Sequence, residues 1–233
     1  MKQEKGHLHP LTLLIRDIAL IFNEMGFEIA EGPELESEYY NFDALNVPKD
    51  HPARDMQDTF WIKGKKEEEK KLLRTHTSSV QIRYMEKHKP PFRIIAPGKV
   101  FRNEATDATH EAQFFQLEGL VVDKDISLAH LKGILTHLYQ KLLGESIEIQ
   151  FRPSFFPFTE PSAEIFMKWK GKWLEMGGAG LVHPKVFEAA GINSKEWRGF
   201  AFGPGLERIL LLKYGIPDVR LLYNGDLQLI NQF

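Results

Sequence analysis

Val100 to Leu120 reads VFRNEATDATHEAQFFQLEGL. FRIIAPGKVF, Phe92 to Phe101, and FFQLEGLVVD, Phe114 to Asp123, are apolar runs of strand length, and the polar loop Asn103 to Glu111 joins them. The pattern predicts two neighbouring antiparallel strands. On the second strand Phe115, Leu117 and Gly119 face one way, and Phe114, Gln116 and Glu118 the other. The same period of two puts Arg102 and Glu104 on one face of the first strand. Four polar groups therefore converge on one sheet surface. A charged hairpin is more often a solvated face with cross-strand pairs, but here the loop also carries Asp107, Thr109 and His110, and the apolar neighbours argue against a fully wet face.

Working outward, Leu11, Leu13, Leu14, Ile18, Ile21, Phe22 and Met25 recur at three- and four-residue steps after Pro10, which predicts an amphipathic helix closing at Gly26. FEIAEGPEL follows as a strand with Pro33 inside it. Proline removes a ladder donor, so this strand is expected at an edge or interface. KGKKEEEKK, Lys63 to Lys71, reads as a solvated hairpin tip. A helix is expected from Ser127 to Leu143, with Ser127 as N-cap and Gly144 as C-cap. EIQFRPSF and, after a turn near Gly171, KWLEMGGAG are strand-like. GFAFGPGLERILLLKYG, Gly199 to Gly215, is a glycine-rich strand running into a helix. Together these elements predict an α+β fold, a mixed and mainly antiparallel sheet flanked by helices, in one domain spanning residues 1–233.

Composition sets bounds without naming a partner. An apolar content of 42% suits a packed core, and a net charge of −2 demands no nucleic-acid surface. The chain has no cysteine, which excludes disulfides, thiolate nucleophiles and Cys-ligated zinc. No apolar run approaches the roughly 20 residues that cross a bilayer, and MKQEKGHLHP lacks the apolar stretch of a signal peptide. No membrane association and a cytoplasmic location are the expectation.

Two further segments concentrate chemistry. In FPFTEP, Phe156 and Phe158 share a face of an extended segment, with Thr159 and Glu160 beyond. Two aromatics so spaced serve either as core or as a slot for an apolar ring. GFAFGPGLER sets Gly199, Gly203 and Gly205 around a strand-to-helix turn with Arg208 in the first helical turn. Glycines permit close backbone approach, and the arginine fork suits a phosphate. The spacing matches neither the dinucleotide fingerprint nor the P-loop.

MGFEIAEGPE, VFRNE with FFQLEG, and GFAFGPGLER together resemble the three motifs of the class II aminoacyl-tRNA synthetases, here at about 11–36, 93–122 and 199–214. HPARDMQDTF, LLRTHTS, DATHEAQFFQLEGL, FPFTEPSAE, GGAGLVHP and KYGIPDVR are similar, more narrowly, to bacterial phenylalanyl-tRNA synthetase α subunits, over His9 to Phe233. The resemblance implies the class II synthetase fold, activation of phenylalanine by ATP, and transfer to tRNA(Phe). It implies Arg102 on the ATP α-phosphate, Arg208 along the triphosphate, Glu104 reading adenine, Phe114 stacking on it and His110 approaching the phosphates. It further implies Mg²⁺ on Glu160. Gln116 and Glu118, with His76 and Ser78 beside them, match ligands of the amino-acid ammonium. The ring then lies against Phe156 and Phe158, with Thr159 and Ala201 near its far edge and Ala201 fixing the pocket's depth.

Bacterial α subunits of this family begin with a coiled-coil arm that grips tRNA, whereas this sequence starts almost directly at GHLHPLTLL. The resemblance therefore covers the catalytic core, and weaker tRNA affinity is expected. With no anticodon-binding module after LINQF and no editing module, a separate β subunit is expected, in an α₂β₂ assembly. Phe115 stands where the family commonly has histidine, which predicts a packing change, and Pro204 lacks a backbone donor. Two alternatives remain open: a paralogue passing the acyl group to another acceptor, and a scaffold, against which Arg102, Glu104, Glu160 and Arg208 speak.

Overall fold

In the computed structural model, which describes residues 6–55, 59–63, 70–144 and 146–233, the chain enters its first helix at His9. The His9 ring accepts from the backbone N–H of Leu11, and Pro10 takes the first helical position, where a missing N–H costs nothing. Helix α1 (Pro10–Glu24) buries Leu11, Leu14, Ile18 and Phe22 on one face. Each such side chain contributes about 1.5–3 kcal/mol when fully buried. Gly26, at φ +77°, turns the chain out of the helix as expected.

FEIAEGPEL is not one strand. β1 (Glu28–Ile29) joins the large sheet and β2 (Leu35–Ser37) a small one, and Pro33 belongs to neither. Pro33 has no donor to give either ladder, so the chain changes sheets across it. β1 does lie at a sheet edge. After α2 (Glu38–Asn41), β3 (Trp61–Ile62) and β4 (Lys71–Leu73) complete the small sheet in the order β2-β4-β3. β3 and β4 pair antiparallel through Ile62 and Lys71. The hairpin tip expected between them falls mostly on residues 64–69, outside the described residues.

Helix α3 (Ser79–Met85) leads to β5 (Phe92–Phe101) and β6 (Gln113–Asp123), antiparallel over their full length from Phe92↔Val122 to Phe101↔Gln113. Helix α4 (Leu128–Leu143) has the expected caps: the Ser127 side chain accepts from His130 N–H, and Gly144 follows. Then come β7 (Glu148–Phe156), β8 (Thr159–Trp169), β9 (Lys172–Val182), α5 (Pro184–Ala189), β10 (Arg198–Pro204), α6 (Leu206–Tyr214) and α7 (Leu227–Ile230). The large sheet runs β1-β5-β6-β10-β9-β8-β7, antiparallel except for β1 on β5.

Strand β8 was not expected. Its buried positions Thr159, Ala163, Ile165 and Met167 alternate, but Pro161 stands at a register shift between Thr159 and Ser162 and interrupts the pattern.

The sheet has two buried faces. Helices α1, α4 and α6 cover one, where Leu131, Leu135 and Ile209 meet Leu117, Val121, Phe200 and Phe202. On the other, α3, α5 and the loop bearing Phe42 and Leu45 meet Ile94, Leu120, Val122 and Ala201. Along β6, Val122 and Leu120 lie in this second core, and the same face continues through Glu118, Gln116 and Phe114 into a cleft.

Candidate active site

One cleft of about 500 Å³ is lined by His76, Ser78, Arg102, Glu104, His110, Phe114, Gln116, Glu118, Phe156, Phe158, Thr159, Ala201 and Arg208. Residues separated by more than a hundred positions of sequence thus meet because β6, β9 and β10 are adjacent and the β4–α3 and β7–β8 connections fold over the same sheet face.

At one side Glu118 is 3% exposed. Ser78 Oγ donates to its Oε2 at 2.7 Å, and Gln81 Nε2 donates to its Oε1. Burial nonetheless pushes this carboxyl up to about 8, the two donors opposing it only in part. Gln116 lies two positions away with its amide fixed: Oε1 accepts from Thr77 N–H at 3.3 Å and Nε2 donates to Gly203 O at 3.0 Å. Gly203 permits this, since a Cβ there would stand 2.5 Å from Gln116 Nε2. Burial, with the Arg102 charge adding to it, holds His76 down to about 3, so its ring is neutral.

The aromatic wall is Phe156 and Phe158, stacked with centroids 5.9 Å apart and planes at 16°. Phe158 lies in the turn between β7 and β8 rather than on an extended segment. Phe156 sits close over β9 at Gly178, where a Cβ would fall 2.7 Å from the ring. Thr159 and Ala201, 5% and 3% exposed, close the slot; Thr159 packs on Gly180, which pairs with Ala201.

Across the cleft stand the two arginines. Arg102 and Glu104 follow the last residue of β5 instead of lying within it, although Arg102 N–H still bonds Ala112 O at 2.9 Å. Arg102 Nε donates to Thr75 O at 3.1 Å and its guanidinium lies 5.0 Å from the Phe114 ring centroid. Arg208, on the exposed side of α6, donates from Nη1 to Glu175 O. His110 Nδ1 lies 3.0 Å from Asp107 Oδ2. The Thr109 backbone N–H, with His110 next, holds the Asp107 carboxyl well below the usual carboxylate range. A cleft with a carboxylate–amide pair, a ring slot and two arginine forks has the donors and acceptors for an aromatic amino acid beside a polyphosphate.

The chain matches the class II core domain (F) model of tRNA synthetases over residues 1–233. It is 56% identical to a phenylalanine–tRNA ligase alpha subunit of Desulfitobacterium hafniense, over 98% of this chain and 70% of that one. It is 54% identical to the protein of the same name from Bacillus mycoides, over 99% and 70%. The chain belongs to the phenylalanine–tRNA ligase α-subunit family of class II synthetases. Its fold is similar to that of a pyrrolysyl-tRNA synthetase from Desulfitobacterium hafniense, with a TM-score of 0.73 at 20% identity over 92% of this chain and 73% of that one.

Within this class II core, Glu160 is not brought to the cleft. Its side chain is 73% exposed, with Oε2 3.3 Å from His183 Nε2. Among the described residues no group of three His, Asp or Glu side chains could hold a metal ion. The residues present do not form a ready magnesium site. Phe115 packs against the α1–α4–α6 core, as its phase on β6 requires, and Pro204 pairs with Gly177.

Several residues of the class II site escaped the sequence reading. Gln81 reaches Glu118 from α3. Glu164, Glu175, Glu111 and Val219 line the cleft. Glu207, 5% exposed, accepts from Phe115 N–H at 2.7 Å and from the Tyr223 hydroxyl; burial pushes its carboxyl up to about 7. Its place beside Arg208, buried at the start of a helix, was the available signal. Among the described residues no helix is long and apolar enough to cross a membrane.

Proposed function

We propose that residues 1–233 act as one catalytic domain that activates phenylalanine with ATP and passes the phenylalanyl group to tRNA(Phe), working with a β subunit in an α₂β₂ assembly. The observation that carries this reading is the junction of the buried Glu118–Gln116 pair with the stacked Phe156 and Phe158 rings in one cleft. Glu118, Gln116 and Ser78 receive the ammonium, neutral His76 adds no competing charge, and the ring enters the slot closed by Thr159 and Ala201.

With the amino group so held, a carboxylate oxygen of phenylalanine attacks the α-phosphorus of ATP. The new bond is C–O–P; the bond from the α-phosphorus to the oxygen bridging to the β-phosphate breaks, and pyrophosphate leaves with that electron pair. Arg102 stabilises the charge that develops on the α-phosphate, and Arg208 that on the departing phosphates. Phe114 and Glu104 receive the adenine, and His110 approaches the phosphates. Any Mg²⁺ accompanying ATP would be held by phosphate oxygens and water rather than by these side chains, and would supply charge neutralisation there. In transfer, the terminal ribose hydroxyl of tRNA attacks the acyl carbonyl and AMP departs.

Amino-acid-dependent exchange of pyrophosphate into ATP, run with each of the twenty amino acids and with and without the β subunit, tests the reading. Exchange selective for phenylalanine is expected. Silence in both settings overturns it, and exchange without transfer to tRNA leaves activation standing and removes the transfer step.

A further inference from the structure

The turn that carries the aromatic wall is gripped from outside the cleft. Pro157 and Phe158 connect β7 to β8, with register shifts on both flanks, between Ser154 and Phe156 and between Thr159 and Ser162. A bulged turn has few ladder bonds of its own, so its shape depends on side-chain anchors. Ser162 Oγ accepts from Phe156 N–H at 3.0 Å and donates to Thr159 O at 2.7 Å. With the serine proton engaged there, Thr159 Oγ1, 2.7 Å away, is the donor of the hydroxyl pair. Asn46 Nδ2 donates to Pro157 O at 2.7 Å from the far side of the turn. His183 N–H adds a bond to Phe158 O at 2.9 Å. Asn46 reaches its place from a left-handed backbone at φ 59°, where asparagine is tolerated better than most residues. Neither Asn46 nor Ser162 lines the cleft.

We propose that Asn46 and Ser162 are positioning residues for amino-acid selection, clamping Phe156 to Thr159 so that the ring slot keeps one width and depth. The inference rests on the proposed reading of this slot as the phenylalanine site. A slot distinguishes rings by shape only while its walls resist adapting to the wrong one, and packing alone gives modest discrimination. Release of either anchor lets the turn yield: phenylalanine loses fit, and a para-substituted ring is resisted less. The two arginines contact other elements, so the nucleotide end is spared.

The test compares Asn46→Gly, Asn46→Asp and Ser162→Ala with the unsubstituted chain, each assembled with the β subunit. Glycine adopts φ 59° freely, so Asn46→Gly removes the Pro157 bond while relieving the backbone. Asn46→Asp keeps the shape but turns an acceptor toward the Pro157 carbonyl. In pyrophosphate exchange we expect KM for phenylalanine to rise about five- to tenfold, with KM for ATP and kcat within about twofold, and the preference for phenylalanine over para-chloro-phenylalanine to narrow. Unchanged phenylalanine KM and preference in the folded Asn46→Gly and Ser162→Ala proteins overturn the inference. So does an equal loss toward ATP and phenylalanine with the preference intact, which marks general destabilisation. If the unsubstituted assembly neither exchanges pyrophosphate on addition of phenylalanine nor binds it by calorimetry, the proposed function itself fails and takes this inference with it.

Discussion

Ser78 Oγ donates to Glu118 Oε2 across 2.7 Å, tying the segment before α3 to the centre of β6. This bond and that from Gln81 Nε2 to Oε1 satisfy one acceptor site on each carboxylate oxygen, yet the group stays up at about 8 because desolvation outweighs both. In the empty cleft the acid is therefore mainly protonated at neutral pH. An arriving ammonium favours the ionised form, which couples ligand binding to proton release.

Two pH effects follow for Glu118. Between its ordinary 4.5 and about 8 the folded chain holds a proton that the unfolded chain has lost, so stability falls as pH rises through that window, by up to about 1.4 kcal/mol per pH unit. Glu118→Gln should flatten this part of the profile, measured as urea midpoints from pH 5 to 8. Calorimetry of phenylalanine binding in buffers of different ionisation enthalpy should show proton release near pH 7 from the unsubstituted protein and none from the glutamine variant. Equal proton release from both would remove Glu118 from the ammonium site.

Ala201 sets a separate limit. It is 3% exposed and pairs with Gly180 at the closed end of the slot. Ala201→Gly should shift the preference toward para-chloro-phenylalanine by about tenfold, the scale of one or two methylene-sized contacts. Ala201→Val should raise KM for phenylalanine at least as much. Pyrophosphate exchange with the two amino acids in competition measures both, and an unchanged preference in Ala201→Gly would place the ring elsewhere.

The sequence discloses the hairpin because FRIIAPGKVF and FFQLEGLVVD are apolar runs of strand length, and its two faces because the pairing runs from Phe92 to Phe101 without a register shift. The faces of Gln116 and Glu118 were legible for the same reason. Pro33 and Pro161 mark the failures: each lies where the chain leaves one pairing for another, and a single missing donor reads the same in a strand, a bulge or a crossing. Gln81 and Glu207 were hidden because their partners, Glu118 and Phe115, lie 37 and 92 positions away. Glu160 shows the converse limit. Resemblance supplied a role for it, whereas in the fold its carboxylate lies beside His183, the residue that caps α5.

Glu207 is expected to couple stability to the nucleotide end. It precedes Arg208 and accepts from Phe115 N–H, next to Phe114. Tyr223→Phe removes one of its donors and should cost about 1–2 kcal/mol, with KM for ATP rising more than KM for phenylalanine. Glu207→Gln keeps an acceptor for Phe115 N–H and should cost less than Glu207→Ala. Because burial raises this carboxyl to about 7, stability should fall as pH climbs from about 4.5 to 7, and Glu207→Gln should lack that slope. Denaturation profiles of the single variants separate this contribution from that of Glu118.

Gly203 offers the sharpest check on Gln116. A Cβ at position 203 would stand 2.5 Å from Gln116 Nε2, the end of a flexible side chain, while the strand pairing with Gly178 uses only backbone. Gly203→Ala should therefore leave the sheet intact and turn the Gln116 amide out of place, breaking its bond to Gly203 O. We expect KM for phenylalanine to rise about tenfold, equivalent to one lost hydrogen bond in a buried site. Gln116→Ala should cause a similar loss, and the double variant no more than either single one, because both remove the same contact. Additive losses in this cycle would show that Gly203 acts on the cleft by some route other than Gln116.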